Sequence, residues 1–192
     1  MKELITIAVD AMGGDNAPNK IIDGIELHHK KNSNVFYKLF GNKKIINPII
    51  ENKVINKNNI EIIHTEQKIS GEDTAFAAAK RGKTTSMWLA IESVKNKSSD
   101  MVISAGNTGA LLVIAKLNLK MIENIDKPAL SGLWPSKKGM SVVLDLGANI
   151  ECSDKNLIDF AIMGSSLFKS LFPEEKSKVA LLNIGSEELK GN

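Results

Sequence analysis

Short apolar segments with the composition of β-strands alternate along the chain with longer segments whose apolar residues recur at helical spacing. The predicted strands are residues 4–9, 35–40, 60–64, 101–104, 130–133, 141–144 and 179–184. Helical patterns follow the first four of these strands, and a long helix is predicted over roughly residues 154–172. This alternation predicts a parallel α/β sheet of the doubly wound, Rossmann-like type, with helices on both faces, in a single domain of residues 1–192.

Residues that favour helix N-termini mark the starts of several helices. Ser70, with Asp73 three positions later, is predicted to cap one helix, and Thr84 or Thr85 the next. Ser153 is predicted to cap the long helix. Pro135 is expected to lie between the two predicted strands of residues 130–144.

Four predicted loops at the carboxyl ends of strands are rich in Gly, Asn, Asp and Ser. They are residues 10–18, 104–109, 145–149 and 183–192. In open parallel sheets, ligands bind in the crevice outside the carboxyl ends of the strands. The functional site is therefore predicted in these four loops, gathered at one edge of the sheet.

The loop of residues 104–109, with the sequence Ser-Ala-Gly-Asn-Thr-Gly, leads directly into an apolar helix. Glycine lets backbone approach a ligand closely, and a helix N-terminus offers free N–H groups and a positive dipole end. An anion site is one interpretation. The other is a tight turn in which Asn107 or Thr108 only caps the helix.

The loop of residues 10–18 contains paired glycines between two carboxylates. Turn chemistry predicts positive φ angles at Gly13 and Gly14 and a helix cap at Asp15 or Asn16. Because carboxylates repel phosphate, Asp10 and Asp15 are expected to orient donors rather than to contact an anion.

Composition and charge narrow the classes of function. A formal net charge of +3 and dispersed lysines argue against nucleic-acid binding. The single cysteine, Cys152, excludes an internal disulfide and favours a reducing cytosol. No signal peptide and no apolar stretch of membrane-spanning length is found.

The three histidines lack the spacing of metal ligands, so neither a metal nor another cofactor is predicted. P-loop and dinucleotide-binding fingerprints are also absent, which argues against a kinase or a dehydrogenase.

Six segments together resemble the phosphate acyltransferase family, the fatty acyl-acyl carrier protein:phosphate transacylases. They are IAVDAMGGD at residues 7–15 with Ala17 and Pro18, ISAGNTGAL at 103–111, KPAL at 127–130, DLGAN at 145–149, FAIMG at 160–164, and LLNIG at 181–185 with KGN at 190–192. All six occur in the family's order. The resemblance departs from the family at Lys127, where arginine is common, and at residues 70–80, which lack an expected proline.

The resemblance implies an enzyme that transfers a fatty acyl group from acyl carrier protein to inorganic phosphate for phospholipid biosynthesis. Under it, Lys190 is the candidate charge, and Asn107, Thr108 and the N–H groups of Gly106 and Gly109 are the candidate anion donors. The remaining candidate binding residues are Gly13, Gly14, Ser104, Asn149 and Asn183. Because phosphate is itself the nucleophile, no catalytic Ser or Cys is required.

The family's members continue well beyond the KGN segment, so the chain is expected to represent the N-terminal part of the family fold and to have little activity alone. The resemblance also implies a homodimer in the full-length family, a cytoplasmic location and a peripheral contact with the inner face of the membrane or with a downstream acyltransferase. Two alternatives remain open. One is a short-chain acyl-CoA:phosphate transacylase, and the other is an inactive remnant or binding module.

Overall fold

The computed structural model describes residues 4–137 and 139–182. Contacts divide the chain into two compact units, Met1–Lys120 and Met121–Asn192, called unit 1 and unit 2 below. The elements of unit 1 are β1 (Ile5–Asp10), α1 (Asn19–His29), β2 (Val35–Gly41), α2 (Lys43–Glu51), a 3-10 turn (Lys57–Asn59), β3 (Ile60–His64), α3 (Ala75–Arg81), α4 (Ser86–Lys95), β4 (Met101–Ser104) and α5 (Thr108–Leu119). Those of unit 2 are β5 (Gly132–Ser136), β6 (Gly139–Val143) and α6 (Asp154–Leu171).

The four strands of unit 1 form a parallel sheet in the order β3-β2-β1-β4. Ile7 of β1 lies opposite Tyr37 of β2 on one side and Met101 of β4 on the other. The chain adds strands to one side of β1 and then crosses to the other side for β4, which is the strand order of a doubly wound sheet. The predicted parallel α/β fold is confirmed.

Helices cover both faces of this sheet. On one face, Val9 and Leu39 pack with Ile22 of α1 and Ile46 of α2. Side chains alternate between the two faces of a strand, so the next residue along β1, Ala8, faces the opposite side, where it packs with Ala90 of α4. A second apolar cluster joins α3, α4 and α5 through Ala78, Met87, Trp88, Ile91 and Ile114.

The helix caps agree with the sequence prediction at Thr85 but not at Ser70. Thr85 caps α4 by accepting a hydrogen bond from Trp88 N, as predicted. The prediction that Ser70 caps a helix is wrong, because α3 begins at Ala75 and Thr74 is its cap. Ser70 lies in a turn instead, where its N–H donates to the Asp73 carboxylate over 2.7 Å.

Unit 2 contains an antiparallel hairpin of β5 and β6 and the long helix α6. The expectation that these two strands belong to the parallel sheet is wrong. Ser136 pairs with Gly139, and this connection is far shorter than the dozen or so residues that a parallel crossover needs. Pro135 lies within β5, opposite Met140, and does not separate the strands. A proline is tolerated there because both strands of a two-stranded sheet are edges.

The predicted Ser153 cap of α6 is confirmed, and its capping box is completed by Asn156. The strand predicted over residues 179–184 is not formed at residues 179–182, where Val179, Leu181 and Leu182 are exposed. A strand requires a hydrogen-bonded neighbour, and residues 179–182 pair with none within the described ranges. Residues 183 and 184 lie outside those ranges.

A membrane-spanning helix is not found among residues 4–137 and 139–182, since none of the helices there combines sufficient length with sufficient apolar character. The expectation that residues 1–192 form a single domain stays a prediction.

Candidate functional site

A buried carboxylate joins the ends of β1 and β4. Asp10 and Ser104 are the last residues of these strands and lie opposite each other in the sheet. Ser104 Oγ donates to Asp10 Oδ2 over 2.7 Å and accepts from Gly106 N over 3.1 Å. Asp10, only 1% exposed, also accepts a bond from Met12 N. The loops after β1 and β4 are therefore held together by one hydrogen-bonded chain.

Gly13 and Gly14 allow these two loops to touch. A Cβ on Gly13 would overlap Asp10 Oδ2 and lie 3.0 Å from both Ser104 Oγ and Gly106 N. Gly14 has a φ of +91°, and a Cβ there would lie 2.5 Å from Ala105 O. The predicted positive φ is thus confirmed at Gly14, whereas Gly13 is not among the residues with positive φ. Gly13 is required for close approach rather than for its backbone conformation.

The cap predicted at Asp15 or Asn16 is wrong. Helix α1 begins at Asn19 after Pro18, and no side chain bonds to its first N–H groups. Asn16 has a φ of 59°, so its backbone turns the loop before the helix begins.

Asn107 caps α5 and at the same time holds a distant segment of the chain. Its Oδ1 accepts from Ala110 N over 2.9 Å, which confirms the cap interpretation for this residue. Its Nδ2 donates to Gly71 O and to Asp73 O, each over 2.9 Å. Both amide hydrogens are therefore in use. A direct bond from this side chain to an anion, which stays a prediction, would have to replace one of them.

The candidate backbone donors of this loop differ in availability. Gly106 N–H is already donated to Ser104 Oγ. In contrast, the N–H groups of Thr108 and Gly109, in the first turn of α5, have no acceptor within the part of the chain that the structure describes. Free N–H groups at the N-terminus of a helix bind anions because the helix dipole adds positive potential there.

Thr108 and Gly109 belong to the lining of a cleft of about 590 Å³. Three segments line it: Met12, Gly14 and Asp15 after β1, residues 68–71 after β3, and residues 105–109 after β4. The cleft lies where the order of strands reverses, between β1 and β4, which is the usual ligand position in doubly wound sheets. It brings together the candidate residues Gly14, Gly106, Asn107, Thr108 and Gly109. Gly13 and Ser104 are not in its lining, but they lie in the contact between the loops after β1 and β4.

The segment of residues 68–71 is a part of the cleft that the sequence pattern does not predict. The pattern of Ser70 followed by Asp73 predicts a helix start there instead. The segment nevertheless follows β3, so the rule that selected the loops after β1 and β4 would also have selected it.

The remaining candidate loop, residues 145–149, lies in unit 2 and forms a closed turn. The Asp145 carboxylate accepts bonds from the N–H groups of Leu130, Ala148 and Asn149. Partial burial raises the pKa of Asp145, but these bonds outweigh it and hold the pKa below its ordinary value. Asn149 Nδ2 donates to Pro128 O and to Asp145 Oδ2. The role of Asn149 in binding stays a prediction.

Two further candidates, Asn183 and Lys190, lie outside the described residues. Across the described ranges, no three His, Cys, Asp or Glu side chains are grouped so that they could hold a metal ion. Cys152 is exposed.

Comparison with known proteins adds an independent line of evidence. Residues 5–192 match the model of the family described as fatty acid synthesis protein. The chain is 70% identical over 192 residues to a phosphate acyltransferase of Pelagibacter ubique, covering 100% of this chain and 57% of the relative. It is 40% identical over 192 residues to a phosphate acyltransferase of Paramagnetospirillum magneticum and 42% identical over 193 residues to one of Bradyrhizobium diazoefficiens, covering 100% of this chain and 55% of each relative. The chain thus spans little more than half the length of these relatives and matches their N-terminal part.

Proposed function

Because this chain belongs to the fatty acid synthesis protein family, we propose that it forms part of a phosphate acyltransferase. In the proposed reaction, a fatty acyl group passes from acyl carrier protein to inorganic phosphate. The product, an acyl phosphate, would serve phospholipid biosynthesis. The relatives' shared name, phosphate acyltransferase, supports the reaction class, and the acyl donor is our proposal.

The observation that carries the proposal is the glycine-lined cleft at the switch point of the sheet. Its free N–H groups, those of Thr108 and Gly109, suit an oxyanion or a phosphate group. The chain of bonds from Asp10 through Ser104 to Gly106 fixes the loop before a ligand binds. Such preorganised donors stabilise developing negative charge, since they need no rearrangement during the reaction.

The chemistry needs no nucleophile from the protein. A phosphate oxygen attacks the thioester carbonyl carbon, a C–O bond forms, and the C–S bond breaks. The electron pair leaves with sulfur, and the proton of hydrogen phosphate ends on the thiol. A thiol pKa of about 8.5 makes the thiolate a good leaving group. The protein therefore has to orient two reactants and to stabilise the tetrahedral oxyanion.

We assign the remaining roles on the basis of the family resemblance. Lys190 would supply positive charge to the phosphate or to the oxyanion, and Asn183 would line the same site. In the full-length protein we propose a cytoplasmic homodimer, with a peripheral contact at the inner face of the membrane or with a downstream acyltransferase.

The test is acyl phosphate formation, measured by hydroxylamine trapping together with release of free thiol. The reactants are palmitoyl-acyl carrier protein and inorganic phosphate. The chain of 192 residues is assayed beside a chain extended to the length of its relatives. We expect phosphate-dependent product from the extended chain and much less from the shorter one. If neither chain cleaved the thioester, the proposed function would be refuted and a binding module would be favoured.

The same assay distinguishes the donor. We expect palmitoyl-acyl carrier protein to be used in preference to acetyl-CoA and palmitoyl-CoA. Faster turnover with acetyl-CoA would identify the protein as a short-chain acyl-CoA:phosphate transacylase instead.

A further inference from the structure

The wall of the cleft formed by residues 68–71 is held by side chains from two helices. Asn107, at the start of α5, bonds to the carbonyl oxygens of Gly71 and Asp73. Arg81, at the end of α3, donates to both oxygens of the Asp73 carboxylate, over 2.8 and 2.7 Å. The same carboxylate accepts the N–H of Ser70 over 2.7 Å. The wall is thus part of a hydrogen-bonded network and not a free loop.

The geometry of the Arg81–Asp73 pair favours a positioning role. A bidentate arginine–carboxylate pair fixes the angle as well as the distance between its groups. The Asp73 side chain is only 12% exposed, whereas that of Arg81 is 43% exposed. Arg81 also donates to the carbonyl oxygen of Lys68, over 3.4 Å. Arg81 therefore bonds directly to the backbone of Lys68, a residue that lines the cleft.

Lys68 is the positively charged residue in the lining of the cleft, and Asp15 is the negatively charged one. Among the described residues, the Lys68 ammonium group has no carboxylate partner, whereas Lys53 is paired with Asp23 and Glu26. An unpaired ammonium group can turn towards an anion without breaking an existing ion pair.

The charges of the lining indicate why such a cation matters. The N-terminus of α5 contributes about +0.5 elementary charge, and the Asp15 carboxylate contributes about −1. Without Lys68 their sum is negative, which repels a phosphate dianion. With Lys68 it becomes positive, at about +0.5. Among these three charges, the Lys68 ammonium group is therefore the one that makes the sum positive.

We propose that Lys68 supplies positive charge that recognises the phosphate group, in addition to the charge assigned to Lys190, and that the Asp73–Arg81 pair positions Lys68 for this task. This inference rests on the proposed function, since it assigns a residue to the phosphate site of that reaction. Lys68 contacts the substrate, whereas Asp73 and Arg81 act through the segment of residues 68–71.

The first experiment measures the equilibrium binding of inorganic phosphate to the purified chain by isothermal titration calorimetry. We expect Lys68→Met to raise the Kd about tenfold or more, and Lys68→Arg to keep it within about threefold, since arginine retains the charge. Lys95→Met is the matched control, because Lys95 is an exposed lysine in the last turn of α4 and does not line the cleft. Its Kd should equal that of the unsubstituted chain. The Kd of Lys68→Met should also depend less steeply on salt concentration.

The second experiment is a double-mutant cycle with Arg81→Met. If Arg81 acts by positioning Lys68, the double variant should bind phosphate no more weakly than Lys68→Met alone. Additive losses would overturn the positioning role. Thermal unfolding of each variant checks that the fold is intact, and Arg81→Lys replaces Arg81→Met if the latter unfolds.

The outcomes separate this inference from the proposed function. Equal phosphate binding by the unsubstituted chain and by Lys68→Met would overturn the role of Lys68 and leave the phosphate site in place. An extended chain that binds no phosphate would overturn both. Phosphate binding that depends on Lys68, without acyl transfer by an extended chain, would refute the proposed reaction and support this inference.

Discussion

Gly13 and Gly14 are neighbours in one loop, but each is glycine for a different physical reason. Gly14 has a positive φ, a backbone conformation that residues with a side chain rarely adopt. Gly13 faces the Asp10 carboxylate, Ser104 Oγ and Gly106 N at distances that leave no room for a methyl group. Both residues belong to one Gly-Gly pair, so the sequence does not distinguish the two reasons. The contact of Gly13 with the loop after β4 distinguishes them.

Gly13→Ala should lower the free energy of unfolding by about 1–3 kcal/mol, because the new methyl group would displace a buried carboxylate and its hydrogen-bonded partners. Gly24→Ala is the control. Gly24 lies within α1, and a Cβ added there would meet open space, so alanine should raise the free energy of unfolding by about 0.5–1 kcal/mol. Urea denaturation measures both changes. An unchanged free energy of unfolding for Gly13→Ala would show that the loops after β1 and β4 are not in contact.

Thr108 provides a test of the proposed anion site at a single exposed side chain. Thr108→Val removes the hydroxyl group and keeps the shape, whereas Thr108→Ser keeps the hydroxyl group. In a full-length enzyme, Thr108→Val should raise the KM for phosphate about tenfold, as expected for one lost hydrogen bond to a charged group, and leave the KM for the acyl donor unchanged. Thr108→Ser should resemble the unsubstituted enzyme. An equal rise in both constants at unchanged stability would indicate packing rather than binding.

Among the secondary-structure elements, α5 is linked by hydrogen bonds to the segment after β3 through Asn107, the residue that caps α5. The Oδ1 of Asn107 satisfies a free N–H of the first turn, and its Nδ2 fixes two carbonyl groups of the cleft wall. Capping and formation of the site are therefore functions of one amide group.

Asn107→Asp separates these functions, because a carboxylate still accepts from Ala110 N but cannot donate to Gly71 O or Asp73 O. We expect α5 to keep its amide protection while the amides of residues 68–74 exchange with solvent at least several-fold faster. Asn107→Ala loses both functions and should also cost about 1 kcal/mol of stability. Hydrogen exchange followed by mass spectrometry measures this. Unchanged exchange in residues 68–74 would show that other contacts hold the wall.

At the scale of the whole molecule, the apolar core is distributed unequally between the two units. Unit 1 buries the side chains of Ile22, Leu39, Ile46 and Ile91 between its sheet and its helices. Within the described part of unit 2, Phe160 is the one buried apolar residue, and exposed apolar side chains such as Ile150, Ile158 and Ile162 surround it in sequence. A unit that buries little apolar surface opens at low free energy.

Unit 2 should therefore exchange its amide hydrogens faster than unit 1 under native conditions. The central strands β1 and β2 are expected to show the strongest protection, and the hairpin of β5 and β6 much weaker protection. Residue-specific hydrogen exchange by NMR is the measurement. Equal protection in both units would contradict it and indicate that they unfold as one cooperative structure. In a chain extended to the relatives' length, we expect the protection of unit 2 to increase.

Local rules were enough for much of the fold and part of the site. The bounds of β3 and β4 agree with the prediction from the apolar pattern, since strand and helix periods depend only on neighbouring residues. The rule for carboxyl ends of parallel strands predicts Gly14, Gly106 and Thr108 as site residues, and all three line the cleft. Capping by Thr85 and Ser153 follows from the same short-range chemistry.

The alternation of elements, the parallel sheet of unit 1 and the glycine loops at its carboxyl edge can all be predicted from the sequence. Strand and helix periods and turn residues are local patterns, and strands that alternate with helices form parallel sheets. The folded arrangement shows in addition that β5 and β6 pair with each other, that the Asn107 amide donates to residues 71 and 73, and that Lys68 lines the cleft. A linear pattern does not state which partner satisfies a given strand edge or donor, whether that partner is close along the chain, as for β5 and β6, or 34 to 36 positions away, as for Asn107.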